Sequence, residues 1–480
     1  MIGESTVERG AGLQAAVALL VGTVGVWILG WNVSPTLGIA LMAPVLVAMA
    51  LIAVRRPVLA VAAVPVLLVV GRVGLPLSIP LVRGLILVVA AIVVIARLNG
   101  YGRRIGWSPL IAVMALLVAA ALLSTLSGVD PAESLRHDVA YLVGLLLAAV
   151  IVVVTVDRSD LLLLAVAVCF GGAMLCATAL TSVPNLQVES RDASLIANRP
   201  AGVFAQPNEL GLCAAMTLCF SVAMTVVARR QRRTGMTALC GLASLIALAA
   251  LMGSLSRGAW IGSAVGLVVL AVLLRESRTL LISFATVATV GLALLVVAPP
   301  AQDTPVAAQR LLSIFGGQGN PYDERPAARA EAIVQMSEHP VLGTGPGTYQ
   351  EAAQQGLAHV LAARQEDHAH NLVLAVGAEQ GVLGLAVLVA ATGVGAREAL
   401  RNSRAPGVRA SNGNSQRTPT AGLTTRGVSA GAGAALASVI GHGTVDYPLR
   451  SSVIATMAWL FIGLLAACAR TRTDTDTQAT

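Results

Sequence analysis

Apolar runs of roughly 18 to 22 residues recur along almost the whole chain, and they constrain its fold more than any other feature. Each run is long enough to cross a hydrocarbon core about 30 Å thick. Inside a bilayer the backbone must satisfy its own hydrogen bonds, so runs of this kind form helices. Only 12% of the residues are charged, against about 25% in ordinary soluble domains. We therefore predict an all-α polytopic membrane protein, and a soluble α/β domain is excluded.

The hydropathy pattern predicts the positions of the individual spans. The pair at 57–71 and 78–97 is weaker and also fits a re-entrant segment, so the predicted count is 12 to 14 transmembrane helices. The candidate spans are 13–31, 36–54, 57–71, 78–97, 108–126, 139–156, 161–181, 208–228, 236–253, 261–274, 279–298, 372–396, 427–445 and 451–469.

The arginines indicate the orientation of these spans. All 32 basic residues are Arg, and 21 of them fall in cytoplasmic loops or tails if the N-terminus is inside. Cytoplasmic loops retain positive charge, so we expect a multi-pass protein of the cell inner (plasma) membrane with both termini cytoplasmic. Nucleic-acid binding requires clustered charge with base-reading elements, and here Arg is spread over short loops, so no nucleic acid is expected as a partner.

The spans and loops divide the chain into five predicted parts. Residues 1–181 are an N-terminal transmembrane bundle, and 182–298 are transmembrane helices with short outer loops that carry Arg. Residues 299–371 are an extracytoplasmic loop domain with a helix near 325–338, and long ordered loops often carry function. Residues 372–469 are C-terminal transmembrane helices with a flexible cytoplasmic linker at 397–426, and 470–480 are a cytoplasmic tail.

Three arginines on the outer side depart from the topological rule. Arg199 lies in NRPAGVFAQPN, Arg257 in SLSRGAW, and Arg325 at the start of the loop helix. A charge at membrane depth costs several kcal/mol unless it is paired or solvated, although an interfacial Arg also extends towards headgroups. Three such residues with few nearby carboxylates favour a shared anionic ligand, because the guanidinium fork matches phosphate oxygens.

A histidine motif closes the long outer loop. In DHAHNLVLAVGAEQGVLGL, His370 and Asn371 precede a span, and His368 lies two residues earlier. Imidazole accepts a proton near pH 7, which makes His370 a candidate general base. A zinc site is the rival interpretation, but the sequence offers no third ligand at useful spacing, so no metal is expected.

These residues resemble the O-antigen ligase and O-antigen polymerase superfamily. The resemblance rests on His370-Asn371 followed after nine residues by Gly381-x-x-Gly384, and on HPVLGTGPG, SLSRGAW and RPAGVFAQPN in the family's order. It covers about residues 190–390 and does not separate lipid A-core ligases from polysaccharide polymerases or protein oligosaccharyltransferases.

The resemblance implies a GT-C-like membrane transferase that catalyses inverting glycan transfer without a metal or other cofactor. The implied donor is a glycan on a polyprenyl diphosphate, and the acceptor is a hydroxyl of a glycan or lipid. His370 corresponds to the family's base, and Arg199, Arg257 and Arg325 correspond to its diphosphate-binding arginines. The one DxD motif, Asp474-Thr475-Asp476, lies on the predicted cytoplasmic tail and is not expected to take part.

Two other functions stay open at this point. A polysaccharide flippase or other secondary transporter has a similar helix count, but internal repeats are not evident in the sequence. A non-catalytic scaffold among other envelope polysaccharide assembly proteins is the third possibility. Trp260 and Tyr349 are the candidate sugar-stacking aromatics. The candidate supporting site residues are Asn208, Asn371, His442, Asp446 and Arg450.

Overall fold

The computed structural model describes residues 54, 56–70, 78–98, 108–181, 199–279, 282, 324–357, 368–404 and 421–477. These residues form helices joined by turns, with no β-strand among them. The helices are α1 (Pro57–Val70), α2 (Ser78–Leu98), α3 (Pro109–Leu126), α4 (Pro131–Val154), α5 (Arg158–Thr181), α6 (Pro207–Arg230), α7 (Thr234–Gly253), α8 (Arg257–Leu273), α9 (Arg325–Glu338), α10 (Leu372–Arg404), α11 (Ala421–Gly443) and α12 (Ser452–Thr477).

The all-α polytopic fold class is confirmed. Seven of the described helices are long and apolar enough to cross a membrane, and three shorter apolar helices accompany them. Large apolar side chains such as Leu116, Leu245, Val268 and Val389 are exposed on the outside of the bundle, where lipid accommodates them. The predicted spans 13–31 and 36–54 lie outside the described residues, as does 279–298 apart from Thr279 and Ile282, so the total count stays a prediction.

The helix α6 lies at the centre of the bundle and is buried along nearly its whole length. It packs against α7, α8 and α11, while α4 packs against α12 and α3 against α10. Helix α9, from the predicted outer loop, packs on α10 through a small cluster that includes Ala328, Ala332 and Val376. The predicted helix at 325–338 is therefore present and is attached to the transmembrane bundle.

Helix ends differ from the predicted boundaries in three places. Helix α4 begins at Pro131, before the predicted start at 139, because Asp130 caps it by accepting the N–H groups of Ala132 and Glu133. The linker predicted at 397–426 is shorter, since α10 continues to Arg404 and α11 begins at Ala421. The tail predicted at 470–480 is helical as far as Thr477, so the DxD motif continues α12.

The helix ends that the arginine pattern assigns to the outer side meet at one end of the bundle. Hydrogen bonds join the chain around His368 to Asp446 after α11, Asp446 to Asn208 in α6, and Arg199 to Ser254 after α7. The segments that carry the candidate site therefore converge in space.

Candidate functional site

A break in α10 at Gly381 shapes one side of the site. Gly381 has φ +62° and ψ −161°, a conformation that glycine adopts without steric cost, and it interrupts the helical hydrogen bonds. The HPVLGTGPG segment replaces them. Thr344 and Gly345 donate to the carbonyls of Ala378 and Glu379, each at 2.9 Å.

The same segment also accepts hydrogen bonds from the far side of the break. Val382 N–H donates to the Pro340 carbonyl at 2.8 Å, and Leu383 N–H donates to Val341 at 3.3 Å. Broken helices at membrane depth are tolerated only where neighbouring protein satisfies the freed groups. The two motifs, far apart in sequence, therefore form one structural unit that presents Glu379 at the break.

A row of glycines brings α8 close to α11. Gly258, Gly262 and Gly266 recur every four residues along α8, and a Cβ at any of them would collide with α11 or its side chains. Small residues at this spacing let helix backbones approach closely in membranes. The close approach places His442, near the end of α11, beside Gly258 and Arg257.

Asp446 lies at the centre of the site and joins three segments. Its Oδ1 lies 3.2 Å from His368 Nε2 and 3.1 Å from His370 Nδ1. Asn208 Nδ2 donates to Oδ2 at 3.0 Å, and His442 Nε2 lies 3.8 Å from the same oxygen. This carboxylate therefore fixes the positions of both outer-loop histidines relative to α6 and α11.

The charge of Asp446 is strongly stabilised. Burial by itself raises the pKa of this carboxyl, but the hydrogen bonds from His368 and His370, with His442 nearby, outweigh burial and hold the pKa well below its usual range. Asp446 is consequently ionised at neutral pH.

His370 is held in an unusual backbone conformation. Its φ is +47°, in the left-handed region that non-glycine residues rarely adopt. Arg329 of α9 donates to the His370 carbonyl at 3.4 Å, while Asp446 holds the ring. Asn371 then caps α10 by accepting the N–H groups of Val373 and Leu374, so the backbone turns sharply where the helix begins.

One cleft contains the three outer arginines. We call it the arginine cleft. It is lined by Arg199, Asn208, Arg257, Arg325, His442 and Asp446. Arg199 donates from Nη2 to Asn208 at 3.1 Å, which links the first arginine to the Asp446 network.

The first turn of α8 forms part of the arginine cleft. Ser256 caps the helix by accepting the Ala259 N–H at 3.3 Å, and Ser256, Arg257 and Gly258 line the cleft. The N-terminus of a helix attracts anions through its unpaired N–H groups and its dipole. The SLSRGAW turn thus adds backbone polarity to the arginine charges.

A larger cavity of about 460 Å³ lies on the other side of the histidines. We call it the glutamate cavity. Its lining includes Glu133, Glu351, Glu379, His368, Tyr447 and Trp459. The Tyr447 hydroxyl lies 3.4 Å from that of Tyr141, and burial together with the nearby Tyr141 and Glu379 raises the pKa of Tyr447 well above its usual range.

The structure brings most of the predicted site residues together. His370, Asn208 and His442 surround Asp446, and the three predicted arginines share one cleft. Two predicted supporting residues are placed differently. Arg450 lines the glutamate cavity, and Asn371 caps α10 and donates to the Thr444 carbonyl at 2.8 Å.

The two predicted stacking aromatics are structural. Tyr349 is 0% exposed and its hydroxyl donates to the Ala328 carbonyl at 2.8 Å. Trp260 is buried, and its Nε1 donates to the Leu251 carbonyl at 3.1 Å. That prediction was wrong because sequence position near an outer loop does not show which way a ring points. Trp459, in α12, is the tryptophan that lines the glutamate cavity.

The sequence did not predict that His368, Glu379 and Tyr447 belong to the site. His368 is 2% exposed and contacts the same Asp446 oxygen as His370. Glu379 lies inside a predicted span, and a carboxyl at such a position is itself a signal of function. Nothing in the sequence indicates the position of Tyr447 beside His368.

The structure also supplies the third metal ligand that the sequence lacked. One ligand atom each from His368, His370 and Asp446 lie within 4.8 Å of one another. Asp446, however, already accepts from Asn208 and from the Tyr447 N–H, besides its contacts with the histidines. A carboxylate has about four lone-pair sites. Protein donors already use the hydrogen-bonding capacity of Asp446 that a metal ion would need.

One part of the chain matches a known protein-family model. Residues 242–389 match the family model described as O-antigen ligase. The matched range contains Arg257, Arg325 and His370. The match confirms the resemblance to the O-antigen ligase and polymerase superfamily, and it supports a glycan-transferring function of this general type in a multi-pass membrane protein. A search of curated proteins finds no match for the chain.

Proposed function

We propose, on the premise that residues 242–389 are an O-antigen ligase domain, that the protein transfers or polymerises a glycan from a polyprenyl-diphosphate donor onto an acceptor hydroxyl. The reaction takes place at the outer face of the cytoplasmic membrane. The observation that carries this proposal is the convergence of Arg199, Arg257 and Arg325 in one cleft that borders the histidine-bound Asp446.

The donor diphosphate binds in the arginine cleft. Three guanidinium groups, together with the N-terminus of α8, match the charge and geometry of a diphosphate. As the glycosidic bond breaks, negative charge grows on the departing diphosphate. Fixed cations aimed at that charge lower the barrier, because they need no reorganisation during the reaction.

His370 acts as the general base. With its Nδ1–H donated to Asp446, the ring carries its basic lone pair on Nε2. The acceptor oxygen forms a bond to the anomeric carbon and gives its proton to His370. The bond from that carbon to the diphosphate oxygen breaks, and its electron pair leaves with the diphosphate, so configuration at the carbon inverts.

Asp446 is a positioning residue in this scheme. It touches both outer-loop histidines and stabilises the imidazolium that forms when His370 accepts the proton. The ionised state of Asp446 supports this role, since a neutral acid at this position would not stabilise the cation.

The location of the site supports transfer over transport. Secondary transporters bind substrate near the bilayer midplane, at an interface between internal repeats. Here the arginines and histidines lie at helix ends, on segments that precede or follow α6, α7, α8, α10 and α11. A site at the headgroup plane suits a lipid-linked donor whose diphosphate lies at that depth.

The proposal is tested with purified full-length protein in detergent. Undecaprenyl diphosphate is the binding probe, and undecaprenyl monophosphate and phosphatidylglycerol are the comparison lipids. We expect the diphosphate to bind best, and Arg257→Ala to weaken it about 10- to 100-fold, the loss expected for hydrogen bonds to a charged group. Equal binding of all three lipids, unchanged in the variant, would contradict the diphosphate site.

A deletion strain gives the cellular test. Loss of the protein is expected to leave glycan on its lipid carrier, and the wild-type gene restores transfer. Purified protein is expected to keep its transfer activity in the presence of a chelator. Activity that is lost to the chelator and regained with a divalent metal would favour the His368, His370 and Asp446 metal site instead.

A further inference from the structure

The glutamate cavity is a second binding space, separate from the arginine cleft. Its volume of about 460 Å³ lies within the roughly 300 to 1,000 Å³ of typical small-ligand pockets, so it has room for sugar rings. The two spaces share no lining residue. Asp446 lines the cleft, whereas His368, bonded to Asp446 at 3.2 Å, lines the cavity.

Carboxyl groups line the cavity. Glu379 is 3% exposed and projects from the break in α10, and Glu351 projects from the short helix Tyr349–Ala352. The Glu351 Oε2 atom is buried and accepts no hydrogen bond from the residues that the structure describes. An unpaired buried acceptor is costly, so this atom indicates a donor supplied by a ligand.

Cationic side chains also line the cavity. Arg136 points outward with a side chain that is 78% exposed, and it pairs with Glu133 at 2.6 Å. His137 also lies beside Glu133, at 3.6 Å. Arg83 and Arg450 line the cavity as well. The glutamates of the cavity offset these cations, so the cavity lacks the excess positive charge of the arginine cleft. Glu351 and Glu379 repel phosphate or carboxylate groups that lie beside them.

The remaining lining groups suit sugar rings. Sugar hydroxyls donate to carboxylates, and Tyr141, which also lines the cavity, adds apolar surface for ring C–H groups. At its inner end the cavity adjoins His368, whose ring centroid lies 4.0 Å from that of His370. A sugar bound there has a hydroxyl close to the proposed base.

We propose that the glutamate cavity binds the acceptor, and that the acceptor portion it holds is an uncharged, hydroxyl-rich glycan. Glu351 and Glu379 determine this specificity by accepting hydrogen bonds from sugar hydroxyls and by repelling anionic sugars. This inference rests on the proposed transfer function, and it assigns the acceptor a space that is separate from the donor diphosphate.

A glycan array tests the inference directly. Fluorescent full-length protein in detergent is applied to neutral oligosaccharides and to oligosaccharides that carry uronic acids or phosphates, printed in equal number. We expect selective retention of neutral glycans, with affinity reduced about 10- to 100-fold by Glu351→Gln and by Glu379→Gln. Gln is chosen because its carbonyl oxygen still accepts the Gly347 N–H that now bonds to Glu379.

Glu398→Gln is the matched control. Glu398 is a buried carboxyl on the same helix, 19 residues beyond Glu379, and it lines neither space. Its substitution is expected to leave glycan binding unchanged. Retention of anionic glycans, retention of no glycan, or neutral binding that is unaffected in both cavity variants would overturn the inference.

Undecaprenyl diphosphate binding to the same samples separates this inference from the proposed function. Both glutamine variants are expected to bind the lipid as the wild type does, because the arginine cleft is intact. Normal lipid binding without the expected glycan preference overturns only the acceptor assignment. Loss of specific diphosphate binding by the wild type overturns the proposed function itself.

Discussion

The arginine cleft and the glutamate cavity lie on either side of the same histidines, yet they differ in charge. Three arginines and one carboxylate line the cleft, whereas three glutamates and three arginines line the cavity. Arg199, Arg257 and Arg325 line the cleft, whereas Glu351 and Glu379 line the cavity. Asp446 and His368 separate the two spaces. If the proposed function holds, the difference in charge sorts the two substrates: the cleft takes the anionic lipid carrier and the cavity takes the neutral sugar.

The two spaces are also built from different elements. The cleft is formed by the segment before α6, the turn between α7 and α8, the start of α9 and the end of α11. The cavity is formed by α2, α4, the chain between α9 and α10, α10 itself, and α12 with the turn before it. Substitutions on one side should therefore leave the other side intact, which makes the comparison testable.

The largest expected effect concerns the side of the membrane on which both spaces lie. Alkaline phosphatase, which needs disulfide bonds to be active, is fused after residue 341 or after residue 404. We expect an active enzyme from the first fusion and an inactive one from the second, because disulfides persist outside the cytoplasm. The reverse result would place cleft and cavity on the cytoplasmic side and refute both assignments.

The next prediction concerns the residue between the two spaces. His370→Ala is expected to lower the rate of glycan transfer about 100- to 10,000-fold, the usual contribution of a general base, with binding of undecaprenyl diphosphate unchanged. His339→Ala is the matched control. His339 lies at the end of α9 in the same outer loop, lines neither space, and is expected to tolerate the change.

His368 is not a suitable control for His370, although sequence position alone favours it as one. It contacts the same Asp446 oxygen and lines the glutamate cavity. Full transfer activity in the His370 variant would remove it from catalysis. If His368→Ala then proved the more damaging change, the base would belong to the cavity side.

A smaller effect distinguishes the arginines of the two spaces. Arg257→Ala is expected to slow transfer about 100- to 1,000-fold, as loss of one fixed transition-state donor does, and Arg257→Lys is expected to restore little. Lysine keeps the charge but not the two-pronged geometry. The measurement is initial transfer rate at saturating acceptor. Arg450→Lys, on the cavity side, is the comparison and is expected to retain most of the rate.

Near-normal transfer by the lysine variant at position 257 would show that the positive charge at this position contributes to membrane topology. Equal losses of transfer rate in the lysine variants at 257 and 450 would show that the two spaces do not have the separate roles proposed for them.

Much of the site followed from the sequence because each signal was local. Outer arginines stand out against the positive-inside pattern, and His370 stands out at the junction of a loop and a span. The glycine repeat at 258, 262 and 266 is also local in the sequence, but its role in packing emerged only from the contact with α11.

The chain's hydropathy determined that it is a bundle of membrane helices, because an apolar run in lipid has no other way to satisfy its backbone. The arginine pattern predicted its orientation for a similar reason, since charge acts locally on each loop. Only the tertiary structure decided that Asp446 joins His368 to His370, and that Glu379 emerges at a helix break supported by residues 340–345. These contacts link residues up to 78 positions apart, and their existence depends on helix packing and side-chain direction, which hydropathy and local motifs do not encode.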